Sequence, residues 1–290
     1  MYLLKIKTKD GHSFKVLSEL IQKYVKDGCW TIDKQGMRLT GVDTKTQKGT
    51  KLICVDLPRY NFTKYKCPEE PLKIGMNMVH FYRMLKSIKK KDNTLTLFIE
   101  QDDPLKLYIQ VNQAGEDKKK GIVGHINITL VRPLVHDQPN GYNDPIIVTS
   151  KDFQKVKQLN KISKTMEISF KERTIDLFCN KEGVYSKKVT LGDTDEDDED
   201  EEEPEHNDDE EYRQSFESDQ ILDLVKTAST SNNVQIFITP DLPLHFKMNS
   251  GSLGTVDVYI KSKETIKEEQ EQDEEENIAN GTNESSTIEI

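Results

Sequence analysis

The feature that most constrains this 290-residue chain is an internal repeat at an offset of 139–140 residues. Residues 80–109 read HFYRMLKSIKKKDNTLTLFIEQDDPLKLYI, and residues 220–247 read QILDLVKTASTSNNVQIFITPDLPLHFK. Each segment runs through a short amphipathic helix, a polar turn, an alternating strand, an acidic turn with Pro-Leu and a second strand. Lys86 corresponds to Lys226 and Leu85 to Val225, 140 apart, and Pro104 corresponds to Pro243, 139 apart. Upstream, the pattern predicts a helix over 13–26 followed by the strands CWTID and MRLTGV. It likewise predicts a helix over 150–163 followed by MEISF and IDLFC. Phe14 and Phe153, again 139 apart, open the apolar faces of those two helices. An ordered match of four elements at one offset implies two domains of like plan, each built as helix, strands, helix, strands.

The predicted helices are one-sided. Phe14, Leu17, Leu20 or Ile21, and Tyr24 recur at three and four, and Phe153, Val156, Leu159 and Ile162 form a second stripe. The predicted strands alternate, as in Leu95, Leu97 and Ile99 against Thr94, Thr96 and Glu100, which suits sheets with one covered and one exposed face. Helices packed on one side of antiparallel sheets give an α+β fold. The expected boundaries are an N-terminal domain 1–128, a connector 129–145, a C-terminal domain 146–263 interrupted by an acidic, unfolded insertion 193–211, and an acidic, unfolded tail 264–290.

Charge supports this division. The formal net charge is −10. Residues 193–211 hold fifteen Asp/Glu and no Lys/Arg, and residues 264–290 hold ten Asp/Glu and one Lys. The first block therefore contributes −15 and the second −9, which leaves +14 on the other 244 residues. Blocks of like charge repel and stay solvated. A basic body is the electrostatic footprint of a nucleic-acid partner, although lysines spread for solubility alone give the same total. The basic residues concentrate on helix faces: Lys15, Lys23 and Lys26; Arg83 and Lys86 before Lys89-Lys90-Lys91; Lys155, Lys157, Lys161 and Lys164; and Lys226. Lys157, Lys161 and Lys164, four and three apart, are expected to share a face. Such faces side by side suit phosphate contacts, which position without reading bases. No cluster of Arg, Asn and Gln of the kind that reads base edges is present.

Particular segments resemble the proliferating cell nuclear antigen family of DNA sliding clamps. Gly28-Cys29-Trp30-Thr31-Ile32-Asp33 with Gly36-Met37-Arg38-Leu39 and Val42-Asp43 is similar to the family's Ala-Cys-Trp strand and following glycine turn. Tyr65-Lys66-Cys67, Gly75-Met76-Asn77-Met78 and Met84-Leu85-Lys86 resemble its Tyr-Arg-Cys and Gly-Val-Asn-Leu segment with the ensuing helix. Asp241-Leu242-Pro243-Leu244 and Val258-Tyr259-Ile260 resemble the close of its second domain. The resemblance is collinear from about residue 3 to 263. It implies a ring-forming clamp fold and a homotrimer, with sheets outside and helices lining a hole around double-stranded DNA held without regard to sequence. It implies DNA-facing roles for Lys15, Arg83, Lys86, Lys155, Lys161 and Lys226, and Lys157 and Lys164 join them as neighbours on the same helix and its end. Subunits would pair through strands near residues 121–128 and 183–191. It also implies a non-catalytic processivity factor in replication and repair, with a DNA polymerase, a clamp loader and proteins bearing short helical clamp-binding peptides as partners. Those peptides would dock at Val42, Leu134, Pro243 and Tyr259. The chain departs from the family in its connector, LVRPLVHDQPNGYNDP, and in Lys261-Ser262, where the family has Ala-Pro.

Catalytic signatures are missing from the sequence. It contains no G-x-x-x-x-G-K-[ST], H-E-x-x-H or G-x-S-x-G. Cys29, Cys54, Cys67 and Cys179 form no C-x-x-C pair, so no metal and no cofactor is expected. No apolar run approaches the ~18 residues of a membrane span, and the N-terminus does not read as a signal peptide. An intracellular protein of the nucleus or of a viral replication compartment is expected. Two alternatives stay open at this point: an acidic-tailed chaperone for DNA-packaging proteins, and a checkpoint-type clamp relative that does not form homotrimers.

Overall fold

A computed structural model describes residues 1–43, 49–113, 121–131, 136–171, 173–192 and 212–281. In the N-terminal half the order is β1 (Tyr2–Thr8), α1 (Gly11–Tyr24), β2 (Asp27–Ile32), β3 (Gly36–Val42), β4 (Lys51–Pro58), β5 (Lys64–Lys66), β6 (Leu72–Asn77), α2 (Met78–Leu85), β7 (Thr94–Glu100), β8 (Asp103–Asn112), β9 (Ile122–Asn127) and β10 (Thr129–Leu130). The C-terminal half follows with β11 (Ile146–Thr149), α3 (Ser150–Phe153), a 3-10 helix (Gln154–Leu159), β12 (Thr165–Lys171), β13 (Thr174–Lys181), β14 (Tyr185–Gly192), β15 (Tyr212–Glu217), α4 (Ser218–Leu222), α5 (Leu224–Ala228), β16 (Asn233–Phe237), β17 (Leu244–Asn249), β18 (Thr255–Ile260) and α6 (Lys263–Gly281).

Among the described residues the strands form three sheets, ordered β5-β1-β7-β8-β9, β10-β6-β2-β3-β4-β18-β17-β16-β11 and β14-β13-β12-β15. The long sheet runs through both halves, because β4 pairs with β18 from Lys51↔Ile260 to Asp56↔Thr255. β9 and β14 stand at sheet edges. These are the strands expected to pair between subunits. They carry no proline, and Ile122, Val123 and Tyr185 are exposed on them.

Local chemistry starts and stops the helices. Asp10 caps α1 by accepting from the Ser13 N–H at 3.1 Å, Asn77 caps α2 by accepting from His80 N–H at 3.0 Å, and Thr149 caps α3 by accepting from Asp152 N–H at 3.1 Å. The cap recurs with the repeat from Asp10 to Thr149, whereas Glu217, the counterpart of Asn77, makes no side-chain cap bond to α4. α1 buries Phe14, Leu17, Leu20, Ile21 and Tyr24, a stripe alternating threes and fours that matches 3.6 residues per turn.

The structure corrects three expectations. The helix expected over 150–163 is α-helical only to Phe153, then becomes a 3-10 helix ending at Leu159. Phe153, Val156, Leu159 and Ile162 are all buried and strictly three apart, which is the period of the tighter helix. Lys161 follows in a left-handed turn at φ 63°, and Lys164 precedes β12. Lys157, Lys161 and Lys164 therefore do not share one helical face. The fourth helix is likewise divided at Asp223 into α4 and α5. Finally, the segment after residue 263 is not wholly unfolded, since α6 extends to Gly281. The Ser262 hydroxyl accepts from Thr265 N–H at 3.1 Å, Lys261 Nζ meets Glu269 at 2.5 Å, and Glu264 accepts the Ser215 N–H of the edge strand β15 at 3.0 Å. These contacts anchor the first turns despite the negative charge. The acidic insertion 193–211 lies outside the described residues.

Candidate functional site

The repeat brings the basic helices together. α1 packs against α2 and α5, and α5 packs against α3 and the 3-10 helix. Their buried stripes face the sheets, so their polar sides form one surface. Arg83, Lys86, Lys155, Lys157, Lys161, Lys164 and Lys226 are exposed, and Lys15 is half-buried. Lys15 Nζ donates to the Ile88 carbonyl at 2.8 Å. Burial and the neighbouring charges of Lys226, Lys89 and Lys86 lower its pKa, partly opposed by Glu19. Four lysines from three chain segments thus share one positive field. Burial, Lys15 and Lys91 similarly lower the pKa of His12 at the start of α1.

Two of the expected DNA-facing residues are partly neutralised. Lys155 pairs with Asp152 at 2.9 Å. Lys226 Nζ donates to both Glu19 oxygens, at 2.7 and 2.6 Å, and the Tyr82 hydroxyl donates to Glu19 at 2.8 Å. Burial works to raise the Glu19 pKa, but the hydrogen bonds from Lys226 and Tyr82 hold it below the usual range. Glu19 joins α1, α2 and α5, and sequence reasoning missed it. Its spacing of four from both Lys15 and Lys23 reads as an ordinary helix-surface charge. Arg83 borders a cavity of about 400 Å³ with His80, Met84 and His125 at the edge strand β9.

The expected partner residues that are described lie along one stretch of the long sheet. Val42 lines an apolar cavity of about 520 Å³ with Val25, Cys29, Gly41, Met76 and Val131. The register sets Val42, Leu52 and Tyr259 opposite one another on β3, β4 and β18, so Tyr259 is on the same sheet face two strands from Val42, and it lies with Pro243 beneath Tyr142 from the segment between the two halves. The Tyr142 hydroxyl donates to the Pro243 carbonyl at 2.7 Å, and its ring lies 6.2 Å from that of Tyr259. Tyr259 is only 5% exposed and stacks on His245 at 4.2 Å. His245 in turn stacks on Phe237 at 4.5 Å and meets Asp257 at 2.9 Å. Burial and the Asp257 and Cys54 charges raise the Tyr259 phenol to about 12. Leu134 lies outside the described residues. Sequence reasoning missed Tyr142 because nothing local marks a connector tyrosine as a cover for strands a hundred residues away.

Among the described residues, no group of three or more His, Cys, Asp or Glu could hold a metal ion, and no helix is long and apolar enough to cross a membrane. The four cysteines are free thiols.

Comparison with known proteins agrees with this architecture. The family description "Proliferating cell nuclear antigen, N-terminal domain" matches residues 3–128, and its C-terminal counterpart matches residues 138–263. The chain is 24% identical over 269 residues to the "Probable DNA polymerase sliding clamp 1" of Paramecium bursaria Chlorella virus 1, covering 89% of this chain and 96% of that one. It is 21% identical over 262 residues to the "DNA polymerase sliding clamp 1" of Sulfolobus acidocaldarius, covering 90% and 99%. The crystal structure of Proliferating Cellular Nuclear Antigen from Entamoeba histolytica superposes with a TM-score of 0.72 at 18% identity, over 91% of this chain and all of the other. With both family domains matched in order and the two-domain clamp fold reproduced, the chain belongs to the proliferating cell nuclear antigen family.

Proposed function

We propose that this chain is a DNA sliding clamp, a non-catalytic ring subunit that encircles duplex DNA and tethers a DNA polymerase and other replication and repair proteins. The observation that carries the reading is the packing of α2, α1, α5 and the 3-10 helix side by side, with Arg83, Lys86, Lys157, Lys161 and Lys164 exposed on them or on the turn that follows. A lysine-rich surface of that kind holds a phosphate backbone without reading bases, and weak, diffuse contacts are what sliding requires. The unpaired edges β9 and β14 support closure into a homotrimer by strand addition between copies, head to tail. The cavity beside Val42 supports docking of a short helical partner peptide, with Pro243 and Tyr259 forming a second part of that surface once Tyr142 moves aside. The same reading places the protein where DNA is replicated, in a nucleus or a viral replication compartment, with a clamp loader to open the ring.

The test combines solution mass with retention on DNA. The expected result is a trimer at micromolar concentration that stays on closed circular DNA after loading and is lost when the circle is cut. A monomer that leaves closed and cut DNA equally fast would overturn the proposal.

A further inference from the structure

The outer face of the β5-β1-β7-β8-β9 sheet carries a straight row of cations and rings. The register sets Lys66, Lys5, Phe98, Tyr108 and His125 directly opposite one another on the five successive strands. Phe98 and Tyr108 stack at 5.0 Å with planes 7° apart, Tyr2 meets Phe98 edge-on at 5.4 Å, and His125 stands 5.6 Å from Tyr108. Lys5 Nζ lies 3.8 Å from the centre of the Tyr2 ring. Two residues along the strands, Lys7 and Lys64 form a second opposed pair on the same face. The alternate residues Leu4, Ile6, Leu97 and Ile109 are in the core, so this row is on the solvent side. Among the described residues, Lys5, Lys7, Lys64 and Lys66 make no ion pair. Two carboxylates border the row at the Tyr2 end: Asp103, engaged by Lys106 at 2.9 Å and by the Tyr108 hydroxyl at 3.1 Å, and Glu100, opposite Tyr2 in the register.

Apart from His125, which also borders the Arg83 cavity at the sheet edge, this surface lies across the sheet from α2 and the helix face proposed to meet duplex DNA. Cross-strand ring pairs stabilise a sheet by themselves, but they do not account for four lysines gathered without counter-charge at one end of the row. Lysines without counter-charge call for a polyanion, and the adjoining rings call for a partner with accessible π surface. A duplex offers the first but hides its bases in the stack; a single strand offers both. The row spans four interstrand steps of about 4.8 Å, roughly 19 Å. That length accommodates about four nucleotides, the lower end for single-strand binding surfaces.

We propose that the outer face of this sheet, through Lys5, Lys66, Lys7 and Lys64 with the Phe98–Tyr108–His125 row, is a docking surface for single-stranded nucleic acid. The phosphates follow the lysines, and unpaired bases lie against the exposed His125 ring and the outward edges of Phe98 and Tyr108. The surface would let a clamp hold the unpaired strand outside its ring while duplex passes through the hole, but the binding itself does not require ring closure.

The experiment uses the full-length chain and a fluorescein-labelled 20-nucleotide oligothymidylate, read by anisotropy. Lys5→Glu with Lys66→Glu is expected to weaken binding by about tenfold or more at low salt. Lys86→Glu with Lys155→Glu, on the helix face, is expected to weaken oligothymidylate by less than the sheet-face pair does, and to weaken a duplex of equal length by more. An abasic oligomer of equal length is expected to bind about fivefold or more weaker than oligothymidylate, because the rings then have nothing to contact. Tyr108→Leu, which keeps a half-buried apolar side chain on the strand, is expected to remove that preference. Loss of binding in the helix-face variant alone would overturn the proposal, as would equal affinity for the abasic oligomer. Displacement by polyglutamate at lower charge concentration than oligothymidylate would assign the face to an acidic protein instead. Retention on circular DNA, measured in parallel, reports on ring function separately.

Discussion

Replacing Lys51 with Met tests a buried amine at the seam between the two halves. Lys51 opens β4 and is 1% exposed. Its Nζ donates to the Gln220 carbonyl of α4 at 3.2 Å and stands 3.4 Å from the centre of the Tyr24 ring. Asp223, between α4 and α5, accepts from Tyr24 and Lys23 of α1. Burial pushes the Lys51 pKa down to about 7, opposed by Asp223 and Asp43, with Lys23 adding to the fall and Glu217 opposing it. The unfolded chain holds this proton up to about pH 10.4. Between pH 7 and pH 10 the unfolded state therefore binds more protons than the folded one, and stability rises with pH across that window. Integrating from pH 7 to pH 9 gives a gain of about 2 kcal/mol for the native protein, which Lys51→Met lacks. Loss of a donor to Gln220 lowers the variant's stability by a similar amount at both pH values, so the pH-dependent difference isolates the amine. The assay is urea unfolding at pH 7 and pH 9, followed by the fluorescence of the single tryptophan, Trp30, which is buried. Protein concentration is held fixed because assembly would add to apparent stability. Parallel pH profiles for the two proteins, within about 0.5 kcal/mol, would refute the claim that the amine prefers to be neutral in the fold.

Four further outcomes are expected. Lys86→Glu, Lys155→Glu and Lys161→Glu together should impair loading and polymerase stimulation and flatten the salt dependence of DNA binding, without lowering the thermal midpoint; unchanged stimulation would show that the basic face is misassigned. Glu19→Gln should release Lys226 from its counter-charge and steepen the slope of log affinity against log salt by about one, whereas an unchanged slope would mean that Lys226 does not meet phosphate. Val42→Asp places a charge in the apolar cavity and should weaken partner peptides by about tenfold or more while trimers persist, but Tyr259→Ala, at a stacked and buried ring, should cost about 3 kcal/mol of stability as well.

Much of the fold is legible in the residues because its signals are local and repeated. The stripe Phe14, Leu17, Leu20, Ile21, Tyr24 specifies α1 by its period, and the strands around Trp30, Leu39, Leu97 and Leu177 follow from alternation. Even the 3-10 helix was visible in principle, since Phe153, Val156, Leu159 and Ile162 are strictly three apart. Reading them as a 3.6-period face put Lys157, Lys161 and Lys164 on one side of a helix that ends before two of them. The tail departs from expectation for a different reason. Its charge density argues against folding, but Ser262 caps the helix at the Thr265 N–H, Lys261 pairs with Glu269, and Glu264 holds the Ser215 N–H from 49 positions away.

By itself, then, the sequence determined the two-domain plan and the basic character of the helices, because periodicity, caps and charge runs act over a few residues at a time. Tertiary structure alone decided which charges meet. Glu19 reaches Lys226 across 207 positions of chain, Tyr142 covers Pro243 from 101 positions away, and five strands line up Lys66, Lys5, Phe98, Tyr108 and His125. Such juxtapositions depend on strand register and helix packing. A one-residue shift of strand register would send the same side chains to the opposite face, and a one-residue slip along a helix would turn them by about 100°, so the local pattern does not specify which of them meet.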